Sequence, residues 1–185
     1  QLNTAIPQVL NINVAGLYFG YSTAPTGSTA TYRGKINLLQ PNTTFDIMQP
    51  TVISGAIGGS GTLTKGWNGG ATLTLNSTES NLSEHFNGTV TISTGTLNTN
   101  NFSLVNASLD YSSGYEGIFT YGANARLGSI NGDKNLSLGN TLIVGSRNEN
   151  FYYGGVFSGG GALTKVGAGE FEIQYDTTRT GATTI

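Results

Sequence analysis

Two glutamates near the C-terminal end of the sequence have the spacing of a catalytic carboxylate pair. Glu170 and Glu172 alternate with Phe171 and Ile173, so an extended strand places both carboxylates on one face, with Cα atoms about 6.5–7 Å apart. Glycosidases use two carboxyl groups at a comparable separation. The other acidic residues are scattered, and Arg179 follows closely enough to neutralise the pair. We therefore interpret the two glutamates as part of a solvated outer face.

The single histidine and the glycine-rich runs offer little further chemistry. A nucleophilic site would need His85 to be oriented by an acid and paired with a serine, but on an extended chain Glu84 points away from it. We predict a loop histidine. The run Gly159 to Gly161 lacks the following Lys-Ser/Thr of a phosphate loop, and Asn131 to Asn135 is better explained as a turn than as a calcium site. We expect no catalytic residue, no metal and no cofactor.

Clustered tyrosines are the candidates for ligand binding. Alternate residues of a strand face outward, and exposed aromatic rings stack on sugars or fill protein interfaces. The candidate ligand-binding residues are Tyr111, Tyr115, Tyr121, Tyr152 and Tyr153. The alternative is that these rings fill the core as a stacked ladder.

The composition excludes several classes of protein. Charged residues make up only 10% of the chain and Pro only 4 positions, while Tyr and Phe contribute 9 and 8, which favours an ordered β protein over a disordered chain. The net charge of −2 and the scattered Lys and Arg residues give no footprint for nucleic acid. No apolar run approaches the roughly 20 residues of a membrane-spanning helix, so we expect no membrane insertion by this segment.

An internal repeat organises the sequence. Gly55 to Lys65 aligns without a gap with Gly155 to Lys165, and both segments end in Leu-Thr-Lys. A second module, Asn87 to Leu97, has a partial echo in Thr180 to Ile185. Apolar and polar residues alternate with period two, which is typical of half-buried strands. Residues predicted to point inward are Leu63, Leu73, Leu75, Val90, Ile92, Leu97, Leu163, Phe171 and Ile173; those predicted to point outward are Thr62, Thr64, Thr72, Thr74, Thr89 and Thr91.

Short strands of this kind cannot bury a core alone, so successive turns of the chain must stack. The sequence predicts an all-β fold, a parallel β-helix over residues 1–185, and the alternative is an antiparallel β-sandwich. Residues 1–52 are interpreted as divergent N-terminal turns, and 53–97 and 136–185 as repeat-like turns. We expect no helix, a turn over residues 24–28 and a glycine-rich corner over residues 67–70.

The run Ser60-Gly61-Thr62-Leu63-Thr64-Lys65, followed by Gly69 and Thr72-Leu73-Thr74-Leu75, resembles the autotransporter-associated β-strand repeat, also called the passenger-associated transport repeat. Gly88 to Leu97 is similar to the second module of that repeat, and Leu163 to Lys165 and Thr180 to Ile185 are similar to a further copy. Trp67 and Glu170 depart from the usual pattern. The resemblance implies a right-handed parallel β-helix in a secreted bacterial surface protein, carried through the outer membrane by a separate barrel.

The resulting functional hypothesis is a non-enzymatic structural or adhesive segment at the bacterial cell surface, which assists export, folding and display. Alternatives are a carbohydrate-active β-helix (a polysaccharide lyase or a tailspike-like depolymerase) and a filament-forming subunit. Expected partners are surface glycans or proteins of the host or of bacteria. Because Thr180 to Ile185 looks like half of a repeat, we also expect self-association through the open ends of the β-helix.

Overall fold

The computed structural model describes residues 9–19, 28–66, 70–175 and 177–185, and every strand pairing in these ranges is parallel. The chain is an all-β solenoid in which successive turns stack as a parallel β-helix. The predicted fold is confirmed, and the antiparallel sandwich is wrong. Residues 24–27 of the predicted turn and 67–69 of the predicted corner lie outside the described residues. In the described ranges the helical structure is one 3-10 turn, Leu82–Glu84.

The strands are short and follow one another around the solenoid. They are β1 (Leu10–Ile12), β2 (Gly16–Phe19), β3 (Ala30–Tyr32), β4 (Ile36–Leu38), β5 (Asn42–Ile47), β6 (Thr51–Ile53), β7 (Ile57–Gly58), β8 (Ser60–Gly66), β9 (Thr72–Leu75), β10 (Asn87–Ile92), β11 (Thr96–Thr99), β12 (Leu104–Asp110), β13 (Ile118–Tyr121), β14 (Ala125–Asn131), β15 (Leu136–Ser137), β16 (Leu142–Val144), β17 (Phe151–Tyr153), β18 (Phe157–Ser158), β19 (Leu163–Lys165), β20 (Phe171–Ile173) and β21 (Thr183–Thr184).

Five parallel sheets form the walls of the solenoid. The long sheet has nine strands in the order β2-β5-β8-β10-β12-β14-β16-β19-β21, and a second wall has the order β13-β11-β9-β6-β3. A three-stranded sheet β1-β4-β7 and the pairs β15-β18 and β17-β20 complete the walls. Because β2 pairs with β5, and β5 with β8, the divergent N-terminal turns belong to the same stack as the repeat-like turns.

Alternating burial follows the period-two pattern with two differences. Leu63, Leu73 and Leu163 are 1–2% exposed, as predicted. Phe171 and Ile173 are only half-buried, because within the described ranges β20 pairs on one side alone, with β17. Thr91 was predicted to be exposed, but it is buried, since its neighbours on β8 and β12 flank it and its Oγ1 donates to Thr64 Oγ1 at 3.0 Å.

The lysine that ends each Leu-Thr-Lys run closes a corner of the solenoid. Lys65 is 1% exposed, and its Nζ donates to the carbonyl oxygen of Thr94 at 2.8 Å. Lys165 Nζ donates to the carbonyl oxygens of Val166 and Gly167 at 2.8 and 2.9 Å. Both lysines follow an inward leucine and an outward threonine. The Lys65 stem is buried in the core while its ammonium group satisfies an acceptor on the next turn, whereas Lys165 is half-buried and satisfies acceptors beside it.

Each of these modules begins with a glycine because the preceding turn of the solenoid leaves no room for a side chain. A Cβ on Gly61, whose φ is +95°, would lie 2.0 Å from the carbonyl oxygen of Pro41. A Cβ on Gly161 would lie 2.2 Å from the carbonyl oxygen of Asn140. The two copies of the repeat therefore share this close contact with the preceding turn.

The stack changes register in its middle. Leu104 of β12 faces Leu127 of β14, but Ser108 faces Ser129, so β12 carries two extra residues between these pairs. Beyond this point β14 pairs with β16 along its first half, and Gly132, just after β14, bridges to Tyr153 of β17. The strands that precede β14 in the long sheet form one wall. The strands that follow β14 form two walls, β16-β19-β21 and β17-β20.

Candidate functional site

Two of the candidate tyrosines are core residues. Tyr111 is 7% exposed and Tyr153 is fully buried. The Tyr111 ring meets Phe119 edge-on, and Lys134 Nζ lies 5.0 Å from its centroid. Tyr153 stacks on Phe157 with ring centroids 4.5 Å apart, its hydroxyl donates to the carbonyl oxygen of Lys134, and burial raises its pKa. Neither ring offers a face to a ligand in this conformation.

Two further tyrosines lie on the boundary between core and solvent. The ring of Tyr121 stacks on Phe119 at 5.9 Å, and its hydroxyl donates to the carbonyl oxygen of Asn140 at 3.2 Å. Burial raises the pKa of Tyr121 to about 12. Tyr115 is 36% exposed in the connection before β13, where its backbone N–H donates to the carbonyl oxygen of Ser112. Tyr121 is thus half-buried, and Tyr115 can reach a partner from a loop.

Tyr152 belongs to an exposed surface on β17 and β20, which we call the Tyr152 surface (Tyr152, Glu172, Gln174 and Tyr175). Tyr152 is 41% exposed and faces Glu172 in the parallel register, and its hydroxyl donates to Gln174 Oε1. Desolvation raises the pKa of Tyr152, with further contributions from Tyr175 and Glu172. Tyr175 is 54% exposed. The surface combines aromatic faces with carboxylate and amide groups, the mixture that binds polar partners such as sugars.

The glutamate pair remains exposed, but its expected cation is elsewhere. Glu170 and Glu172 both lie at the surface, and the backbone N–H of Glu170 donates to Asn150 Oδ1 at 2.8 Å. The Arg179 guanidinium was predicted to neutralise the pair. It instead donates to the carbonyl oxygens of Gly181 and Ala182, at 2.8 and 2.9 Å. That prediction is wrong because local contacts within residues 179–183, including one to Thr183 Oγ1, hold the guanidinium.

His85 and the run around Asp133 hold loops in place. His85 is 3% exposed, and its Nε2 lies 2.7 Å from the carbonyl oxygen of Glu79. Asp133 accepts hydrogen bonds from the backbone N–H and hydroxyl of Ser113, which hold the pKa of its carboxyl below the usual value. Among the described residues, no group of three or more acidic or histidine side chains is placed to hold a metal ion.

A polar groove that the sequence did not predict lies beside the loop between β9 and β10. It has a volume of about 590 Å³. One wall carries Arg33 and Lys35, with the corner Ser54 to Ala56 beside them, and the other wall is residues 77–81 with Glu84. We call it the loop groove. The feature that reveals the groove is one turn that is longer than the next. Thr62 pairs with Thr89, 27 residues later, whereas Val90 pairs with Leu109 after 19 residues.

The fold defines this protein as a parallel β-solenoid with an exposed aromatic surface near one end and a polar groove at the side of its earlier turns. No protein-family model matches the chain, and no curated protein and no solved structure matches it. In the part of the chain that the structure describes, no helix is long and apolar enough to cross a bilayer.

Proposed function

We propose that this chain is a structural and adhesive segment of a secreted bacterial surface protein, with no catalytic role. In this proposal the solenoid supports export and folding, and its outer faces contact glycans or proteins at the cell surface. The resemblance to the autotransporter-associated repeat suggests the setting. The geometry of the two Leu-Thr-Lys modules is the observation that carries the scaffold role.

Both modules occupy the same sheet and place a buried leucine and a lysine at equivalent positions. Leu63 and Leu163 are buried in β8 and β19 of the long sheet, and Lys65 and Lys165 donate to corner carbonyls. Each turn contacts chiefly the turns directly before and after it, which is the condition for folding turn by turn. A chain that emerges gradually through a membrane can fold in this way, because each new strand adds to an edge that already exists.

The adhesive part of the proposal rests on the Tyr152 surface. Tyr152 and Tyr175 present exposed rings beside Glu172 and Gln174. Rings stack on the apolar face of a sugar. The carboxylate accepts hydrogen bonds from sugar hydroxyl groups, and the amide both accepts and donates them. A surface glycan is therefore the partner that we expect at this face.

A non-catalytic role is supported by what the candidate groups already do. His85 is buried against the carbonyl oxygen of Glu79, and Asp133 is held by Ser113. Glu170 and Glu172 are exposed beside and within β20 rather than enclosed in a cleft that excludes water, the kind of environment that a glycosidase gives its general acid.

The setting is tested by labelling the producing bacterium with antibody raised against this chain. Intact cells are expected to be labelled as strongly as permeabilised ones. Labelling that needs permeabilisation would contradict display at the surface. The adhesive role is tested on a glycan array, where Tyr152→Ala is expected to reduce binding. Tyr18→Ala is the matched control, because Tyr18 is 62% exposed on β2 at the opposite end of the long sheet.

A further inference from the structure

The loop groove exists because one turn of the solenoid is longer than its neighbours. The step from Thr62 to Thr89 takes 27 residues, and the steps from Val90 to Leu109 and from Leu109 to Ile130 take 19 and 21. The extra residues follow β9 and form the connection 76–86, which includes the 3-10 turn. This connection projects beside the corners that precede β4 and β7, and the groove is the space between them.

The connection is held in one conformation. Phe86 is 1% exposed and anchors its end in the core. The backbone N–H of Ser77 donates to Ser103 Oγ at 2.8 Å, and His85 Nε2 lies 2.7 Å from the carbonyl oxygen of Glu79. Asn106 Nδ2 donates to the carbonyl oxygen of Leu82. A ligand would therefore meet a preformed wall and would not have to order it on binding.

One of the two cations in the groove is already neutralised. Lys35 and Glu84 form an ion pair across the groove, and each side chain is about one-third exposed, 32% and 33%. This pair ties the connection 76–86 to the corner before β4. It leaves Arg33 as the cation that can take an anionic ligand.

Arg33 differs from the other basic residues of the chain. Lys65, Lys134, Lys165 and Arg179 donate to backbone carbonyls, Lys35 and Arg147 pair with carboxylates, and Arg126 lies over the Phe102 ring. The guanidinium of Arg33 is exposed, and within the described ranges it has no ion pair or hydrogen bond. An arginine with all five N–H donors free, at the side of a preformed groove, is placed to bind an anion.

The opposite wall supplies groups that suit hydroxyls. Glu79 Oε1 accepts from the backbone N–H of Asn81 at 2.8 Å, which orients the carboxylate at the rim. Thr78 and Ser80 line the same wall and are exposed. Carboxylates accept from ligand hydroxyls, and serine and threonine hydroxyls both donate and accept. No tyrosine or phenylalanine lines the groove, so recognition here depends on polar groups.

We propose that the loop groove binds an acidic saccharide, a sugar that carries at least one carboxylate and several free hydroxyls. The Arg33 guanidinium pairs with the sugar carboxylate, for which its planar fork is matched. Glu79, Thr78 and Ser80 contact the hydroxyls from the other wall. The volume of about 590 Å³ lies in the range of small-molecule sites. This proposal does not depend on the scaffold role, and it concerns residues on earlier turns than those of the Tyr152 surface.

The test is calorimetric titration of the whole chain with trigalacturonate and with sialyllactose, which carry the same carboxylate chemistry on two different sugars. Galactotriose and lactose are their neutral counterparts. At least one acidic ligand is expected to bind about tenfold or more tightly than its neutral counterpart, and the one that does identifies the sugar. Arg33→Gln is expected to weaken that binding by about tenfold or more, since a hydrogen bond between two charged groups is lost.

Arg179→Gln is the matched control, because it removes the same charge at the last turn of the solenoid. It is expected to leave the affinity unchanged. Circular dichroism of both variants checks that the fold is retained. Equal binding of acidic and neutral sugars, no binding of either acidic sugar, or equal losses in the two variants would each overturn the proposal.

Discussion

The two halves of the solenoid fill one continuous core with different side chains. From β1 to β11 the buried residues are mainly aliphatic, as in Ile36, Ile47 and Leu63. From β12 onward, rings occupy much of the core. The buried or half-buried rings of this half are Tyr111, Phe119, Tyr121, Phe151, Tyr153, Phe157 and Phe171. The change coincides with the register shift between β12 and β14, where one wall becomes two.

The distance between neighbouring strands explains why planar rings pack well in the second half of the core. Phe151 and Phe171 are partners in the parallel register, and their rings stack with centroids 4.3 Å apart. That distance is close to the spacing of about 4.8 Å between neighbouring strands, so a planar ring on each turn fills the rise of the solenoid. Lysine ammonium groups satisfy corner carbonyls in both halves, as at Lys65 and Lys165, and in the second half the Tyr153 hydroxyl does so as well.

The largest effect on stability is expected in the half from β12 onward, which we call the aromatic half. Phe157 is fully buried, and it contacts Tyr153 at 4.5 Å and Phe171 at 6.3 Å between centroids. Phe157→Ala should lower the free energy of unfolding by about 3–5 kcal/mol, because it leaves a cavity between stacked rings. Urea unfolding followed by circular dichroism measures it. A loss below about 1 kcal/mol would show that the rings are not a packed core.

The two halves are compared at two equivalent leucines, Leu63 in the first half and Leu163 in the second. Leu63→Ala and Leu163→Ala should each cost about 2–5 kcal/mol, since both residues are 2% exposed. The outward neighbour Thr62 is the control, and Thr62→Ala should change stability by about 0.5 kcal/mol or less. If the two leucines differed strongly, the modules would not be equivalent in the stack.

Alkaline pH should act with opposite sign through Lys65 in the first half and through Tyr121 in the second. Desolvation lowers the pKa of Lys65 from 10.5, so its contribution to stability rises as the pH approaches 10.5, where the unfolded chain still binds the proton. Burial raises the pKa of Tyr121 from 10.0 to about 12, so stability falls above pH 10, where only the unfolded tyrosine loses its proton.

Unfolding free energies of the wild type, Lys65→Met and Tyr121→Phe across this pH range separate the two contributions. Tyr121→Phe should abolish a decline of about 1 kcal/mol, a value reduced from the full shift because solvent screens the half-buried hydroxyl. An identical pH profile in all three proteins would contradict these two contributions.

The smallest effect is expected at the exposed glutamates of the aromatic half. Glu170→Gln combined with Glu172→Gln should change stability by no more than about 0.5 kcal/mol, and it should leave sugar binding at the loop groove unchanged. Turnover of a polysaccharide by the wild type that disappears in this double variant would favour the alternative of a carbohydrate-active enzyme.

Local alternation in the sequence predicts which residues of each module face inward, but it cannot choose between adjacent aromatic residues. Leu63 and Thr64 differ in polarity, so the phase of β8 can be read directly. In Phe151-Tyr152-Tyr153 every residue suits a core, and the phase is set by Phe171 and Phe157 from neighbouring strands. This is why Tyr153 was grouped with Tyr152 as a binding residue although only Tyr152 is exposed.

Long-range contacts explain what else the sequence did not predict. The register shift depends on the pairing of β12 with β14, two strands that lie outside the repeated sequence segments. The loop groove brings together Arg33 and Glu79, which are far apart in the sequence. The period-two pattern does place Lys65 inward, but only the folded turn shows that the carbonyl of Thr94 receives its ammonium group.

One cross-linking measurement tests the parallel stack most directly, because the chain contains no cysteine. Thr64 and Thr91 are partners on β8 and β10, with hydroxyl oxygens 3.0 Å apart. Thr64→Cys with Thr91→Cys should form a disulfide on mild oxidation, since neighbouring strands lie about 4.8 Å apart. Thr64→Cys with Asp110→Cys, two strands apart at roughly 10 Å, should not form one. Failure of the first pair, or equal bridging by both pairs, would contradict the parallel β-helix.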